Sequence, residues 1–115
     1  MATDPLAHLM LTTAGFCRIV EKMRSFGIPW VALGGGGYNI ANVARAWTLA
    51  FGIMCGIDLP DMIPDTCVGT FRKYGWDQLT LRDKEVHFID DATTQLWAEE
   101  KVRYIKKKVF PFYDL

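Results

Sequence analysis

Apolar residues recur at helical spacing in the first quarter of the chain. Thr12 or Thr13 can cap a helix that runs to about Phe26. Gly27 suits the position after a helix end, and Pro29 prevents the helix from continuing. The apolar positions of this predicted helix are Phe16, Ile19, Val20, Met23 and Phe26.

A short strand and a second helix are predicted next. Residues 30–33 are apolar without alternation, which is typical of a strand covered on both faces. After a run of glycines, Asn39 can cap a helix that stops before Gly56. Helix, strand, glycine turn and helix in this order indicate a unit of an α/β fold. The apolar face predicted for the second helix consists of Ile40, Val43, Ala44, Trp47, Ala50, Phe51 and Met54.

The remaining chain predicts shorter elements around irregular connections. Residues 57–64 contain prolines and aspartates typical of a loop, and residues 66–74 predict a short helix that Gly75 ends. Residues 78–81 predict an extended segment.

A last helix is predicted after Asp90 or Asp91, either of which can cap it, and Pro111 closes it. Its apolar positions are Ala98, Val102, Ile105 and Val109. One buried strand cannot form a parallel sheet alone. We therefore expect the chain to be part of a larger α/β domain or to complete its sheet with a partner.

Composition narrows the classes of function. The 115 residues have the length of one domain. The net charge of zero gives no indication of an electrostatic binding surface for nucleic acid or an anionic membrane. The basic run 106–108 suits a helix C-terminus, and no apolar stretch is long enough to span a membrane. The amino terminus lacks the pattern of a signal peptide. Cys17, Cys55 and Cys67 have apolar neighbours, which predicts free buried thiols and a cytoplasmic location.

Four consecutive glycines, residues 34–37, follow the predicted strand. Glycine loses the most backbone entropy on folding, so such a run indicates special backbone angles or close approach by another group. In open α/β sheets, ligands bind at the carboxyl ends of strands. The turn could hold a phosphate with its N–H groups. However, it lacks the third glycine of the dinucleotide motif and the lysine of a P-loop, and Asp58 lies in a proline-flanked loop.

A second interpretation of the turn involves Tyr38. The glycines would leave room for a narrow substrate, and the Tyr38 hydroxyl would donate a hydrogen bond to a carbonyl oxygen as charge develops on it. Alternatively, the Tyr38 ring packs over the start of the second helix. The residue types alone leave both possibilities open.

The segment from residue 34 to residue 48, GGGGYNIANVARAWT, resembles the Gly-Gly-Gly-Gly-Tyr-x-x-x-Asn-x-Ala-Arg-x-Trp-Thr segment of the histone deacetylase family. Bacterial acetoin-utilization proteins and acetylpolyamine amidohydrolases belong to the same superfamily. The resemblance implies the carboxy-terminal piece of a mostly parallel-sheet, arginase/deacetylase-like α/β fold that is helix-rich in this part. Residues 1–64 would be the family-like unit, and residues 65–115 a carboxy-terminal extension with a closing helix.

The resemblance also implies an active site. In the family, zinc is held by two aspartates and a histidine, paired histidines handle protons, and the substrate is acetylated lysine or an acetylated polyamine. By position, Tyr38 would stabilise the oxyanion as the catalytic tyrosine. Gly35, Gly36 and Gly37 would bind substrate by lining the acyl channel or the cavity behind it.

The zinc ligands of the family are not matched. Asp4-Pro5 resembles the pair that follows the third ligand, so that ligand would precede Met1. His8 and His87 have neither tandem nor ligand spacing and stay unassigned. We expect a fragment that binds no zinc and has no deacetylase activity on its own.

Two alternatives stay open: a non-catalytic interaction module that associates with itself, and a nucleotide-binding module. The expected partners are the remainder of a deacetylase domain or a second copy, with no nucleic acid and no membrane. Arg45 is expected to pair with a carboxylate, and Trp47 to lie in the core. Three clustered aromatic residues could form a rim or pack on the core: Phe71, Tyr74 and Trp76.

Overall fold

The computed structural model describes residues 3–6, 9–84 and 92–115. The helices are α1 (Thr13–Arg24), α2 (Ile40–Cys55), α3 (Asp65–Lys73) and α4 (Ala92–Lys108), followed by a 3-10 helix, Phe110–Tyr113. The predicted helix-rich character is therefore confirmed. Both histidines and the proposed caps of the last helix lie outside the described residues: His8, His87, Asp90 and Asp91.

Side-chain caps set the starts of the first two helices. The Thr12 hydroxyl accepts a hydrogen bond from the Gly15 N–H at 3.1 Å, and the Asn39 side chain accepts one from the Asn42 N–H at 3.1 Å. Gly56 ends α2 with a left-handed φ of 71°. Both predicted starts and the end of α2 are confirmed, whereas α1 ends two residues before the predicted position.

The helices α1 and α2 pack against each other and form the centre of the described structure. The buried apolar side chains are Val20 on α1, Ala46 and Leu49 on α2, and Ile63 in the following loop. Gly52 on α2 allows close approach, because a Cβ there would lie 2.7 Å from Leu59 Cδ1. Gly52 thus lets the loop pack against the helix.

The face of α2 that is buried differs from the predicted one. The side chains of Ile40, Trp47 and Phe51 were expected inside, yet they are 70%, 47% and 65% exposed. The reason is that α1 covers only one side of α2, so one of the two apolar sides stays uncovered. The buried residues of α2 are Asn42, Arg45, Ala46, Leu49 and Gly52.

The predicted strand at residues 30–33 is not formed in the described structure. Val31 and Leu33 are 80% and 86% exposed. Within the described part of the chain, residues 28–38 make no hydrogen bond from backbone to backbone. A strand requires a neighbouring strand to pair with, and the described residues provide none beside this segment.

A short pairing joins the loop after α2 to the segment after α3. Met62 and Thr80 form an isolated antiparallel bridge. It is flanked by hydrogen bonds from the Ile63 N–H to the Leu79 carbonyl, at 2.9 Å, and from the Leu81 N–H to the Asp61 carbonyl, at 2.8 Å. The bridge supports the extended character predicted for residues 78–81.

The carboxy-terminal part is more exposed. None of the residues of α3 or α4 is buried. Among the described helices, none combines the length and apolarity needed to cross a membrane. All three cysteines are free, but the predicted burial is wrong for two of them. Cys17 is half-buried, whereas Cys55 and Cys67 are exposed, because the sides of their helices are not covered.

Candidate functional site

The four glycines of the turn occupy different environments. Gly36 and Gly37 have φ angles of 68° and 81°, which residues with a Cβ rarely adopt. A Cβ on Gly34 would overlap the ring of Trp47, so this position requires a glycine for close packing. A Cβ on Gly35 would meet no atom within 4 Å. The structure therefore explains three glycines by conformation or packing and leaves Gly35 facing open space.

The backbone of Tyr38 is anchored at the end of this turn. Its N–H donates a hydrogen bond to Asp4 Oδ2 at 2.8 Å, and Asp4 is only 5% exposed. The other carboxylate oxygen, Asp4 Oδ1, accepts a hydrogen bond from the Leu6 N–H at 2.9 Å. The Tyr38 side chain is 58% exposed, and its hydroxyl makes no hydrogen bond within the described residues. Tyr38 thus combines a fixed backbone with an available hydroxyl.

A second contact joins the amino-terminal segment to the start of α2. Asn42 Nδ2 donates a hydrogen bond to Thr3 Oγ1 at 2.6 Å. The longer contacts of Asn39 Nδ2, both at 3.4 Å, reach the carbonyl and the hydroxyl of Thr3. The amino-terminal segment consequently contacts the residue that ends the glycine turn and the first turn of α2.

Arg45 forms the most extensive polar contacts near the site. Its side chain is 5% exposed, and Nη2 lies 2.6 Å from Asp83 Oδ1, which confirms the predicted carboxylate partner. Arg45 Nε donates to the Thr80 and Leu81 carbonyls at 2.9 and 3.1 Å, and Nη1 donates to Asn42 Oδ1 at 3.3 Å. The guanidinium therefore holds residues 80–83 against α2.

Asp83 links this cluster to the start of α1. The Thr13 N–H donates to Asp83 Oδ2 at 2.7 Å, and the Asp83 N–H donates to Thr13 Oγ1 at 2.8 Å. Burial alone would raise the pKa of Asp83. The hydrogen bonds from Thr13 and from Arg45, together with the charge of Arg45, hold that pKa below its ordinary value.

A cleft of about 420 Å³ separates the start of α2 from residues 74–78. Tyr38, Tyr74 and Trp76 all line it. The Trp76 ring stacks on Phe71 with centroids 4.6 Å apart, and it lies 6.4 Å from the Tyr74 ring. The aromatic cluster therefore packs internally and also forms one wall of the cleft. Aromatic residues around Gly75 were the sequence signal for this wall, but nothing in their spacing indicated Tyr38 as their neighbour.

Trp47 does not lie in the core as predicted, since nearly half of its surface is exposed. Its ring instead contacts the backbone of Gly34 from the outer side of α2. The physical reason is the same as for the other residues on the outer side of α2. No other part of the described chain packs against that side.

The residues that the structure describes were compared with the ligand set of the zinc ion that the family resemblance implies. Among the described residues, no three His, Cys, Asp or Glu side chains come together in a way that could hold a metal ion. The carboxylate nearest the turn, Asp4, accepts hydrogen bonds from two backbone N–H groups. The described residues thus do not fit a zinc site.

Comparison with known proteins places part of the chain in a family. The family model described as the histone deacetylase domain matches residues 1–54. Over this segment the chain belongs to the histone deacetylase superfamily. Membership fits an arginase/deacetylase-like fold, while the parallel sheet of the parent fold stays a prediction. The matched segment contains Asp4, the glycine turn, Tyr38 and Arg45.

Individual deacetylases match different lengths of the chain. Histone deacetylase 19 of Arabidopsis thaliana is 40% identical over 65 residues, which is 56% of this chain and 13% of the relative. Histone deacetylase 8 of Danio rerio is 39% identical over 77 residues, 67% of this chain and 20% of the relative. Histone deacetylase 1 of Homo sapiens is 31% identical over 110 residues, 96% of this chain and 21% of the relative.

The chain thus spans about a fifth or less of the length of these curated relatives. No solved structure matches it significantly. The match to the human deacetylase extends beyond residue 54, so the resemblance reaches past the segment that the family model covers.

Proposed function

We propose that this chain forms the carboxy-terminal part of a deacetylase catalytic domain and that Tyr38 is its oxyanion-stabilising residue. The observation that carries the proposal is the geometry of Tyr38 inside the family-matched segment. Asp4 holds its backbone, and its hydroxyl is available at the edge of a cleft. The proposed substrates are amides of acetylated lysine or of acetylated polyamines.

The chemistry required of Tyr38 is hydrogen-bond donation. During hydrolysis of an amide, negative charge develops on the carbonyl oxygen, and a donor already aimed at that oxygen lowers the barrier. Removing one such donor typically lowers kcat by about 10²–10³-fold. Gly35 is proposed to provide clearance for the acyl group, because no atom lies within 4 Å of where its side chain would be.

Zinc and an attacking water are required by the family chemistry, and the described residues do not fit a zinc site. We therefore propose that the chain alone has no deacetylase activity. Purified chain, supplied with zinc and an acetyl-lysine peptide, is expected to show no turnover. Turnover that Tyr38→Phe abolishes would contradict this part of the proposal.

The nucleotide-binding alternative is disfavoured by the groups at the turn. A phosphate would need free backbone N–H groups and would avoid negative charge. Instead, the Tyr38 N–H donates to the Asp4 carboxylate, and the Asn39 side chain occupies the Asn42 N–H. Neither of these two N–H groups is therefore free to bind a phosphate, and the acceptor of one of them is an acidic side chain.

A second candidate function is association with another protein chain. Its support is the uncovered apolar surface on residues 30–33 and on the outer side of α2, which includes Val31, Leu33 and Phe51. Within the described structure, the backbone groups of residues 28–37 also form no hydrogen bonds with other backbone groups, so another strand could bind them. The remainder of a deacetylase domain or a second copy of the chain would cover this surface.

A chimera tests the proposed role of Tyr38. The chain replaces the matched 21% of the human relative, and the fusion is assayed with zinc on an acetyl-lysine peptide. We expect turnover, and Tyr38→Phe should lower kcat by about 10²-fold or more. Tyr104→Phe is the matched control, because Tyr104 is an exposed residue of α4 that does not line the cleft.

Two results would contradict parts of this proposal, and a third would show that the assay is unsuitable. An active chimera in which Tyr38→Phe keeps full activity would overturn the role of Tyr38. A soluble, folded chimera without any turnover would count against the deacetylase proposal and favour the interaction module. Loss of activity in both tyrosine variants would show that the assay reports folding and not the Tyr38 hydroxyl.

A further inference from the structure

Residues 3–6 supply the hydrogen bond that fixes the glycine turn. Within the described structure, residues 34–37 make no hydrogen bond from backbone to backbone. The first backbone group after them is the Tyr38 N–H, which donates a hydrogen bond to Asp4 Oδ2 at 2.8 Å. Asp4 lies 34 positions earlier in the chain. A turn of four glycines is therefore anchored at its end by a carboxylate from a distant segment.

We propose that Asp4 is a positioning residue that acts through Tyr38. This inference rests on the proposed function, in which Tyr38 donates a hydrogen bond to the substrate carbonyl. Asp4 touches neither the substrate nor the Tyr38 hydroxyl in this scheme. Its carboxylate determines where the Tyr38 backbone, and with it the ring, is held.

The chemistry of the contact suits this role. A hydrogen bond from a backbone N–H to a carboxylate is shorter and stronger than one to a neutral oxygen. Asp4 is 5% exposed, so water competes little for this interaction. Because Gly36 and Gly37 adopt left-handed angles and glycine is the most flexible residue, the position of Tyr38 depends on an anchor outside the turn.

Asp4 also makes a hydrogen bond within its own segment. Its Oδ1 accepts a hydrogen bond from the Leu6 N–H at 2.9 Å, two residues along the chain. Next to it, Thr3 Oγ1 accepts a hydrogen bond from Asn42 Nδ2 at 2.6 Å. The segment thus contacts Tyr38 itself and, through Thr3, the start of the helix that follows it.

Misplacing a catalytic group by about 1 Å can cost about 10²-fold in rate. Loss of the anchor should therefore affect turnover more than substrate affinity. Asp4→Asn is the conservative variant, because its amide oxygen can still accept from the Tyr38 N–H, although without the negative charge.

The first experiment uses the chain itself and needs no activity. Amide hydrogen exchange, followed residue by residue with NMR, is compared among the wild type, Asp4→Ala and Asp4→Asn. We expect the Tyr38 amide to exchange about tenfold faster or more in Asp4→Ala, an intermediate rate in Asp4→Asn, and unchanged rates inside α1 and α2. Asp58→Asn is the control, because the Asp58 side chain is 98% exposed.

The second experiment uses the chimera described above. Asp4→Ala should lower kcat by about 10–100-fold with little change in KM, and Asp4→Asn should recover part of the loss. Because Asp4 is proposed to act through Tyr38, the double variant with Tyr38→Phe should lose no more activity than Tyr38→Phe alone.

The outcomes distinguish this inference from the proposed function. If Tyr38→Phe leaves the chimera fully active, the proposed function fails, whatever the exchange experiment shows. If Tyr38→Phe lowers kcat as expected, the positioning role is overturned by either of two results: Asp4→Ala alone does not lower kcat, or it lowers the residual kcat of Tyr38→Phe further. If Asp4→Ala unfolds the chain, the test relies on Asp4→Asn. The positioning role of Asp4 is then overturned if Asp4→Asn leaves both the Tyr38 amide exchange rate and the activity of the chimera unchanged.

Discussion

The two sides of α2 differ in how far the rest of the described chain covers them. The inner side carries Arg45 and Leu49, both about 5% exposed or less, and it packs on α1 and on residues 80–83. The outer side carries Ile40, Trp47 and Phe51, which are mostly uncovered. The inner side therefore includes a buried charge, whereas the outer side consists of apolar residues.

The difference shows that apolarity alone does not identify which helix face a chain buries within itself. Arg45 can be buried because Asp83 and two carbonyl groups satisfy its guanidinium. Phe51 remains exposed because no other described element packs on its side. We infer that the inner side stabilises this chain and that the outer side is available for another one.

The largest expected effect comes from removing the buried charge of the inner side. Arg45→Met would leave Asp83 and the Thr80 and Leu81 carbonyls without their donor, so it should lower the free energy of unfolding by about 3 kcal/mol. The change in the free energy of unfolding is measured by urea denaturation, with circular dichroism as the signal.

The control for Arg45 is Arg82→Met. Arg82 is 46% exposed and its ion pairs with Asp58 and Asp61 are long, 3.5 and 3.4 Å, so its loss should cost less than about 1 kcal/mol. Equal effects of the two variants would contradict the distinction between a buried and an exposed arginine.

A smaller effect is expected at the glycine turn, where the outer side of α2 meets residue 34. Gly34→Ala would push its Cβ into the Trp47 ring and should cost about 2 kcal/mol in the free energy of unfolding. Gly35→Ala is the matched control and should leave stability nearly unchanged, because its Cβ meets open space. In the active chimera, Gly35→Ala should nonetheless lower turnover if the position provides clearance for the acyl group.

Acid should weaken the inner side through Asp83. Its pKa in the folded chain lies below the ordinary value of 3.8, so its contribution to stability is present above about pH 3.8 and is lost as pH falls through the folded pKa. Asp83→Asn should lower the free energy of unfolding by about 1.5 kcal/mol near pH 6, and the difference from wild type should shrink below pH 3.8. A difference that stays constant down to pH 2 would contradict the assignment.

The smallest effect on stability is expected on the outer side. Phe51→Ser combined with Val31→Ser should change the free energy of unfolding by less than about 0.5 kcal/mol, because both side chains are exposed. The same variant should weaken self-association, which sedimentation at tens of micromolar would measure for both proteins. A monomeric wild type under these conditions would overturn the proposed self-association and leave the remainder of a deacetylase domain as the partner.

Local features were predictable because they depend on neighbouring residues. Thr12 and Asn39 cap their helices as the sequence indicated, since a cap requires only a side-chain oxygen and the N–H groups of the next turn. Gly56 ends α2 for an equally local reason. The resemblance of residues 34–48 to deacetylases was also visible in the sequence, and the family model matches that region.

Contacts between distant residues required the tertiary structure. Asp4 reaches the Tyr38 N–H, and Asp83 reaches Arg45 and Thr13, only because the fold brings together residues that are 34 to 70 positions apart. The prediction of a strand at residues 30–33 was wrong because a strand requires a neighbouring strand to pair with, which is also a contact between distant residues. The sequence by itself determined the starts of α1 and α2, the end of α2, the glycine turn and the family. Which side of α2 is buried, and which carboxylate holds Tyr38, were decided by tertiary packing, since each depends on what lies opposite in space.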